Sequence, residues 1–139
     1  MTASSRLGAA LAMGLGGGLR SFAPPVALAV HGRGPLAGPA RFIAFGAGAG
    51  ELIADKLPNM PSRFSPRGMT LRLVFSSTGG RLLAGTPGAG IAAAAALGSA
   101  FAGSRLRTKV HGPRRQLAAA VFEDALSYSL VLTAAAALR

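Results

Sequence analysis

Residues 82–104, LLAGTPGAGIAAAAALGSAFAGS, run for 23 positions without a charge between Arg81 and Arg105. A helix needs about 20 apolar residues to cross roughly 30 Å of hydrocarbon, and this stretch meets that length. Two more stretches on either side do the same. Residues 7–30 lie between Arg6 and His31 with one charge, Arg20; residues 116–138 lie between Arg115 and Arg139 with only Glu123 and Asp124. A fourth stretch, 42–55, covers about 21 Å at 1.5 Å per residue. Snorkelling of Arg41 and Lys56, with Leu36-Ala37-Gly38 ahead of it, extends this to 37–57. The expected fold is all-α: a polytopic integral membrane protein with one transmembrane domain, residues 1–139, and about four spans at 7–30, 37–57, 82–104 and 116–138.

Residues 58–81 read as a connector. Pro58, Pro61 and Pro66 interrupt any continuous helix, and the run from Met69 to Phe75 suits an interfacial helix, a re-entrant turn or a surface linker. The N-terminus imitates a signal peptide, but Arg20 and Pro24-Pro25 break the pattern, so the first helix is expected to be retained.

Composition agrees with this class. Half of the 139 residues are hydrophobic, 30 are Ala and 20 Gly, and 14 % are charged, against about 25 % in soluble domains. With no Cys, disulfide scaffolds, Cys-ligated metals and cysteine nucleophiles are excluded. Small-x-x-x-small patterns at Gly14/Gly18, Gly46/Gly50 and Gly85/Ala89 allow close helix approach. The net charge of +11 is spread over loops between apolar stretches, which favours anionic lipid headgroups as partners and argues against nucleic acid. Four spans put seven basic residues on each side. Arg6, Lys56, Arg63, Arg67, Arg72, Arg81 and Arg139 face Arg33, Arg41, Arg105, Arg107, Lys109, Arg114 and Arg115. Such a tie leaves orientation open and suggests either dual insertion with an antiparallel homodimer or an inserted 58–81 segment.

All four acids, Glu51, Asp55, Glu123 and Asp124, fall inside the expected spans. A charge there costs a few kcal/mol even on lenient scales, so these residues are the candidate site. Glu51 and Asp55 share one helix face. Glu123 and Asp124 diverge by about 100°, so one of them is expected inward, with Ser127 or Tyr128 on its stripe. Arg20 is the counter-charge, and Pro24 and Pro25 break or kink the first helix near it. Exposed carbonyls at such a break resemble the ion sites of discontinuous transporter helices. His31 and His111 read as loop residues, and no metal, cofactor, phosphate loop or enzyme signature is found. An acid-free helix followed by an acid-bearing one occurs twice, with Gly18-Leu19-Arg20-Ser21 opposite Gly103-Ser104-Arg105-Leu106, which suggests a two-helix repeat.

Gly18-Leu19-Arg20-Ser21-Phe22-Ala23-Pro24-Pro25, Gly50-Glu51-Leu52-Ile53-Ala54-Asp55-Lys56-Leu57-Pro58, Arg81 and Phe122-Glu123-Asp124-Ala125-Leu126 together resemble the bacterial membrane-protein family known as domain of unknown function 4126. The similarity covers most of the chain, and Glu-x-x-x-Asp-Lys-x-Pro is its most specific element. It implies a compact helical membrane protein with these polar motifs at its centre, and no activity.

The functional expectation is a small inner-membrane transporter or channel-like protein, a homodimer. It would bind a proton, cation or polar substrate at Glu51, Asp55, Glu123, Asp124 and Tyr128, with Arg20 as gate. The alternative is a structural or lipid-binding membrane protein whose acids clasp helices. A lipid-modifying enzyme comes third.

Overall fold

The structure, a computed structural model, describes residues 1–32, 36–57 and 65–138. Connector residues 58–64, and Arg33, Arg63 and Arg139 of the charge count, lie outside the described residues. The described elements are all helices: α1 (Ala3–Leu19), α2 (Ala23–Val30), α3 (Ala40–Ala54), α4 (Pro66–Lys109) and α5 (Pro113–Ala136). Local chemistry sets their starts. Thr2 accepts the Ser5 N–H at the head of α1, and Ser65 accepts the Gly68 N–H at the head of α4. Pro66 and Pro113 occupy first-turn positions, where a missing N–H costs nothing. Helices α4 and α5 are each long and apolar enough to cross a membrane.

Helix α4 is a hairpin of two arms, 66–83 and 86–109. Ala84 and Gly85 leave helical geometry, and Gly85 has φ +66°, a conformation open to glycine at no steric cost. The reversal brings Gly80 against the carbonyl of Gly88 and the methyl of Ala92, which a straight helix would hold about 12 Å and 18 Å away. The stretch expected to be a connector is thus a core helix from residue 66 onward, with Arg72, Ser76, Gly79, Gly80 and Leu83 buried.

Helix α1 is the axis. Gly14 and Gly18 lie against Ala92, Ala96 and Ser99 of the second arm. Gly17 lies against Ser76 of the first arm, and Met13 fills the space beside Gly79. Gly16 meets α5, where an added Cβ would stand 2.6 Å from Val131 Cγ1 and Ser127 Oγ donates to the Gly16 carbonyl at 2.8 Å. The Gly14-x-x-x-Gly18 pattern is therefore a true contact. Gly46 and Gly50 face open space, and Gly48 between them packs on Val26 and the Tyr128 hydroxyl instead. Gly85 serves the turn.

Residues 7–30 do not form one passage. The chain breaks at residues 20–22, ahead of Pro24 and Pro25, which both sit in the first turn of α2. Helix α2 then doubles back. Pro24 lies beside Gly17, and Ala27, Leu28 and the following Leu36 share a core with Ala10, Met13, Val131 and Ala134. The pairings above fix two ends of the bundle. One carries the start of α1, the α4 turn and the close of α5; the other carries the close of α3, the open end of the α4 hairpin and the start of α5. The described basic residues divide unequally between them. Arg6, Arg41 and Arg81 lie toward the first end. Lys56, Arg67, Arg105, Arg107, Lys109, Arg114 and Arg115 lie toward the second, with Arg20 and Arg72 buried between. The seven-to-seven tie came from counting 7–30 as a passage and 66–83 as a loop.

Gly14→Ala and Gly18→Ala each push a methyl into backbone carbonyls of the second arm. Each is expected to lower the unfolding free energy in detergent by about 1–3 kcal/mol. Gly46→Ala, in open space, is expected to be neutral or stabilising by less than about 1 kcal/mol. Thermal unfolding followed by helical circular dichroism measures both.

Candidate functional site: a charge chain at the helix break

The break begins where α1 ends. Arg20 is extended (φ −137°, ψ 120°), and its N–H still reaches the Gly16 carbonyl. The next backbone donors are each accounted for, as buried N–H groups require. Ser21 and Phe22 donate to the two carboxylate oxygens of Glu51 at 2.8 and 3.0 Å. Ala23 donates to the Arg20 carbonyl at 3.3 Å, and Pro24 and Pro25 have no N–H. Glu51 thus closes the break from α3 and places a negative charge at the head of α2, where the helix dipole favours it.

The other three carboxylates form a chain of alternating charge. Lys56 Nζ lies 3.4 Å from Asp124 Oδ2, and Oδ1 of the same carboxylate accepts from Arg20 Nε and forms an ion pair with Nη2. Arg20 Nη1 reaches Asp55 Oδ2 at 2.9 Å; Arg107 Nη2 reaches the same oxygen at 2.9 Å. Arg107 Nε then donates to Glu123 Oε2 at 2.9 Å. Arg20 is 1 % exposed, so its charge depends on these partners for compensation. Lys56 and Arg107 are the outermost members and line a cavity of about 360 Å³ at the basic end, which also reaches Asp55 and Gln116.

The structure brings together Arg20, Glu51, Asp55, Glu123 and Asp124, all expected at the site. Tyr128 is half-buried nearby, its hydroxyl at Gly48. Three expectations are corrected. Arg20, expected as the counter-charge of all four acids, pairs with two of them, Asp55 and Asp124. Glu51 holds backbone amides. Both Glu123 and Asp124 are used, because their angular divergence points them at different cations. Pro24 and Pro25 are not ligands; they shape the break.

Arg107 and Lys56 were read as loop or interface residues. Arg107 lies in the last turn of α4, and helical side chains lean toward the N-terminus, which carries its guanidinium back to the acids. A signal was available: four carboxylates in the spans against one cation there demanded more cations within side-chain reach. Arg105, equated with Arg20 in the proposed repeat, instead lies exposed over the Phe101 ring at 4.8 Å. Among the described residues, no group of three His or acidic side chains is placed to hold a metal ion. No protein-family model, curated protein or solved structure matches the chain.

Arg20→Met leaves Asp124 and Asp55 short of a buried partner and is expected to cost about 3–5 kcal/mol of stability. Lys56→Gln, at a half-exposed and longer contact, is expected to cost under about 1 kcal/mol. Unfolding in detergent at low and high salt reads both, and the Arg20 term should resist screening.

Proposed function

We propose that this chain is a small multi-pass protein of the bacterial inner membrane. Its role is transporter or channel-like, with the charge chain exchanging a proton or passing a small cationic or polar substrate. The partition of side chains supports the membrane half of this reading. Phe42, Ile43, Ile53 and Phe122 are between 64 and 76 % exposed, whereas Arg20 is 1 % and Glu123 8 % exposed. Water would penalise both features at once, while hydrocarbon suits apolar exteriors with charges turned inward. The passages would be α3, the two arms of α4, and α5, with α1 and α2 as a re-entrant pair. Membership of the family of domain of unknown function 4126 belongs to the same proposal, since its motif residues Arg20, Glu51, Asp55, Glu123 and Asp124 are those of the site.

One observation carries the functional half. Asp55 accepts from both Arg20 and Arg107, and each arginine has a second carboxylate of its own. Protonation of Asp55 therefore leaves two intact pairs, Arg20–Asp124 and Arg107–Glu123. Loss of Asp124 or Glu123 also leaves each arginine a carboxylate, but Asp55 then keeps the two arginines joined. Asp55 is thus the carboxylate whose uncoupling by a proton or cation parts the chain into two intact pairs, and it lines the cavity. The helix that carries it is suited to move. Helix α3 packs mainly on α2 and is tied to the rest by Glu51, Asp55 and Lys56. All these groups come from one copy of the chain. A homodimer enters the proposal only as packing around a complete site.

The structural alternative is favoured by a different fact: each of the four carboxylates already has a partner. Proteoliposomes separate the two. Wild-type protein is expected to carry protons down a potassium-diffusion potential, read with a trapped pH-sensitive dye. Asp55→Asn should lose that flux by about tenfold or more with unchanged helicity and unfolding. Wild-type flux no greater than that of empty liposomes, or collapse of the Asp55→Asn bundle, leaves the clasp reading.

The unequal ends also propose an orientation. Among the described residues, seven basic side chains against three favour the Lys56–Arg115 end in the cytoplasm, with both termini outside. A C-terminal alkaline phosphatase fusion is expected to be active and a C-terminal green fluorescent fusion dark. The opposite pattern, or both signals together, overturns it.

A further inference from the structure

A second cavity adjoins the polar one. It is a groove of about 500 Å³ between α1, the second arm of α4 and α5, walled by Leu15, Leu19, Ala102, Leu106, Phe122 and Leu126. Along α5 it runs from Ala119 to Leu130, about 16 Å at 1.5 Å per residue. Arg107, Val110 and Ala119 line both cavities, so Arg107 stands at the seam between apolar and polar space.

We infer that this groove binds an anionic phospholipid, with one acyl chain along α5 and the phosphate against Arg107. The inference rests on the membrane half of the reading above and is independent of transport. Arg107 commits Nε to Glu123 and Nη2 to Asp55; among the described residues, Nη1 has no hydrogen-bond partner. It is free to meet a phosphate oxygen, a pairing the planar guanidinium favours. Lys56 lines the same polar cavity, and Arg105, Lys109, Arg114 and Arg115 are exposed at that end of the bundle. Two carboxylates also line this space, Glu123 in the groove and Asp55 in the polar cavity; both are ion-paired to Arg107, and the cations at this end outnumber them. The groove walls are helices whose backbone groups are internally bonded, which leaves no strand edge for an extended peptide. Their smooth apolar floor, with Gly98 and Gly103 among its residues, suits a hydrocarbon chain.

The test uses delipidated full-length protein in detergent and native mass spectrometry, with phosphatidylglycerol, phosphatidylcholine and chain-free glycerol phosphate as probes. Phosphatidylglycerol is expected to be retained about tenfold better than phosphatidylcholine, with no retention of glycerol phosphate. Gly98→Phe fills the groove from a position with open space around its Cβ. It should cut phosphatidylglycerol retention about tenfold with an unchanged unfolding midpoint. Arg107→Gln should bring the two phospholipids to equal retention. Equal retention by the wild type, retention unaffected by Gly98→Phe, or glycerol phosphate competing as well as the phospholipid each overturns the site. None of these outcomes depends on whether the protein carries a proton.

Discussion

A buried arginine organises this molecule. Arg20 is withdrawn from solvent at the point where α1 stops, and a guanidinium does not shed its proton to escape the cost of burial. Compensation has to come from carboxylates, and Asp55 and Asp124 supply it from helices distant in sequence. Those carboxylates recruit Lys56 and Arg107, and Arg107 recruits Glu123. Each step follows from the same requirement, that a charge in a low-dielectric interior be paired. The result is an alternating chain that links α1, α3, α4 and α5 at one level.

The helix break has its own economy. Breaking a helix exposes backbone donors, and here two prolines remove two of them while Glu51 accepts two more. Glu51 and Asp55, one turn apart on α3, therefore do different work on the same face. One closes the backbone of the break and the other joins the charge chain. Because α3 packs mainly on α2, these polar contacts account for much of its attachment to the rest of the bundle. By contrast, α1 is held by shape. Its glycines admit Ala92, Ala96, Ser99 and Ser76 so closely that an added methyl would overlap them. The bundle thus combines a closely packed glycine axis with an electrostatically tethered arm.

Several features were open to the sequence and several were not. The acids were legible because carboxylates inside apolar stretches are costly, and Arg20 was legible as their one neighbour in a span. The break was legible from Pro24 and Pro25. The partner assignments were not, since pairing depends on which helices face each other and how far a long side chain leans. Arg107 shows this: it follows an apolar stretch and reads as a loop base, yet its guanidinium reaches back among the acids. The hairpin was hidden for a related reason. Three prolines and four arginines made 58–81 look like a connector, whereas from Pro66 onward a helix buries Arg72 and Ser76 and reverses on one glycine.

Composition and residue spacing alone determined that the chain is helical, that its acids gather in apolar segments, and that Arg20 stands among them beside a helix break. These are properties of single helices, fixed by periodicity, proline chemistry and the cost of burying charge. The tertiary structure decided that α2 returns along α1, that α4 is two arms, which cation meets which carboxylate, and which end of the bundle is basic. Those depend on contacts between residues far apart in the chain, where glycine clearances and side-chain reach choose among arrangements that local pattern leaves equivalent.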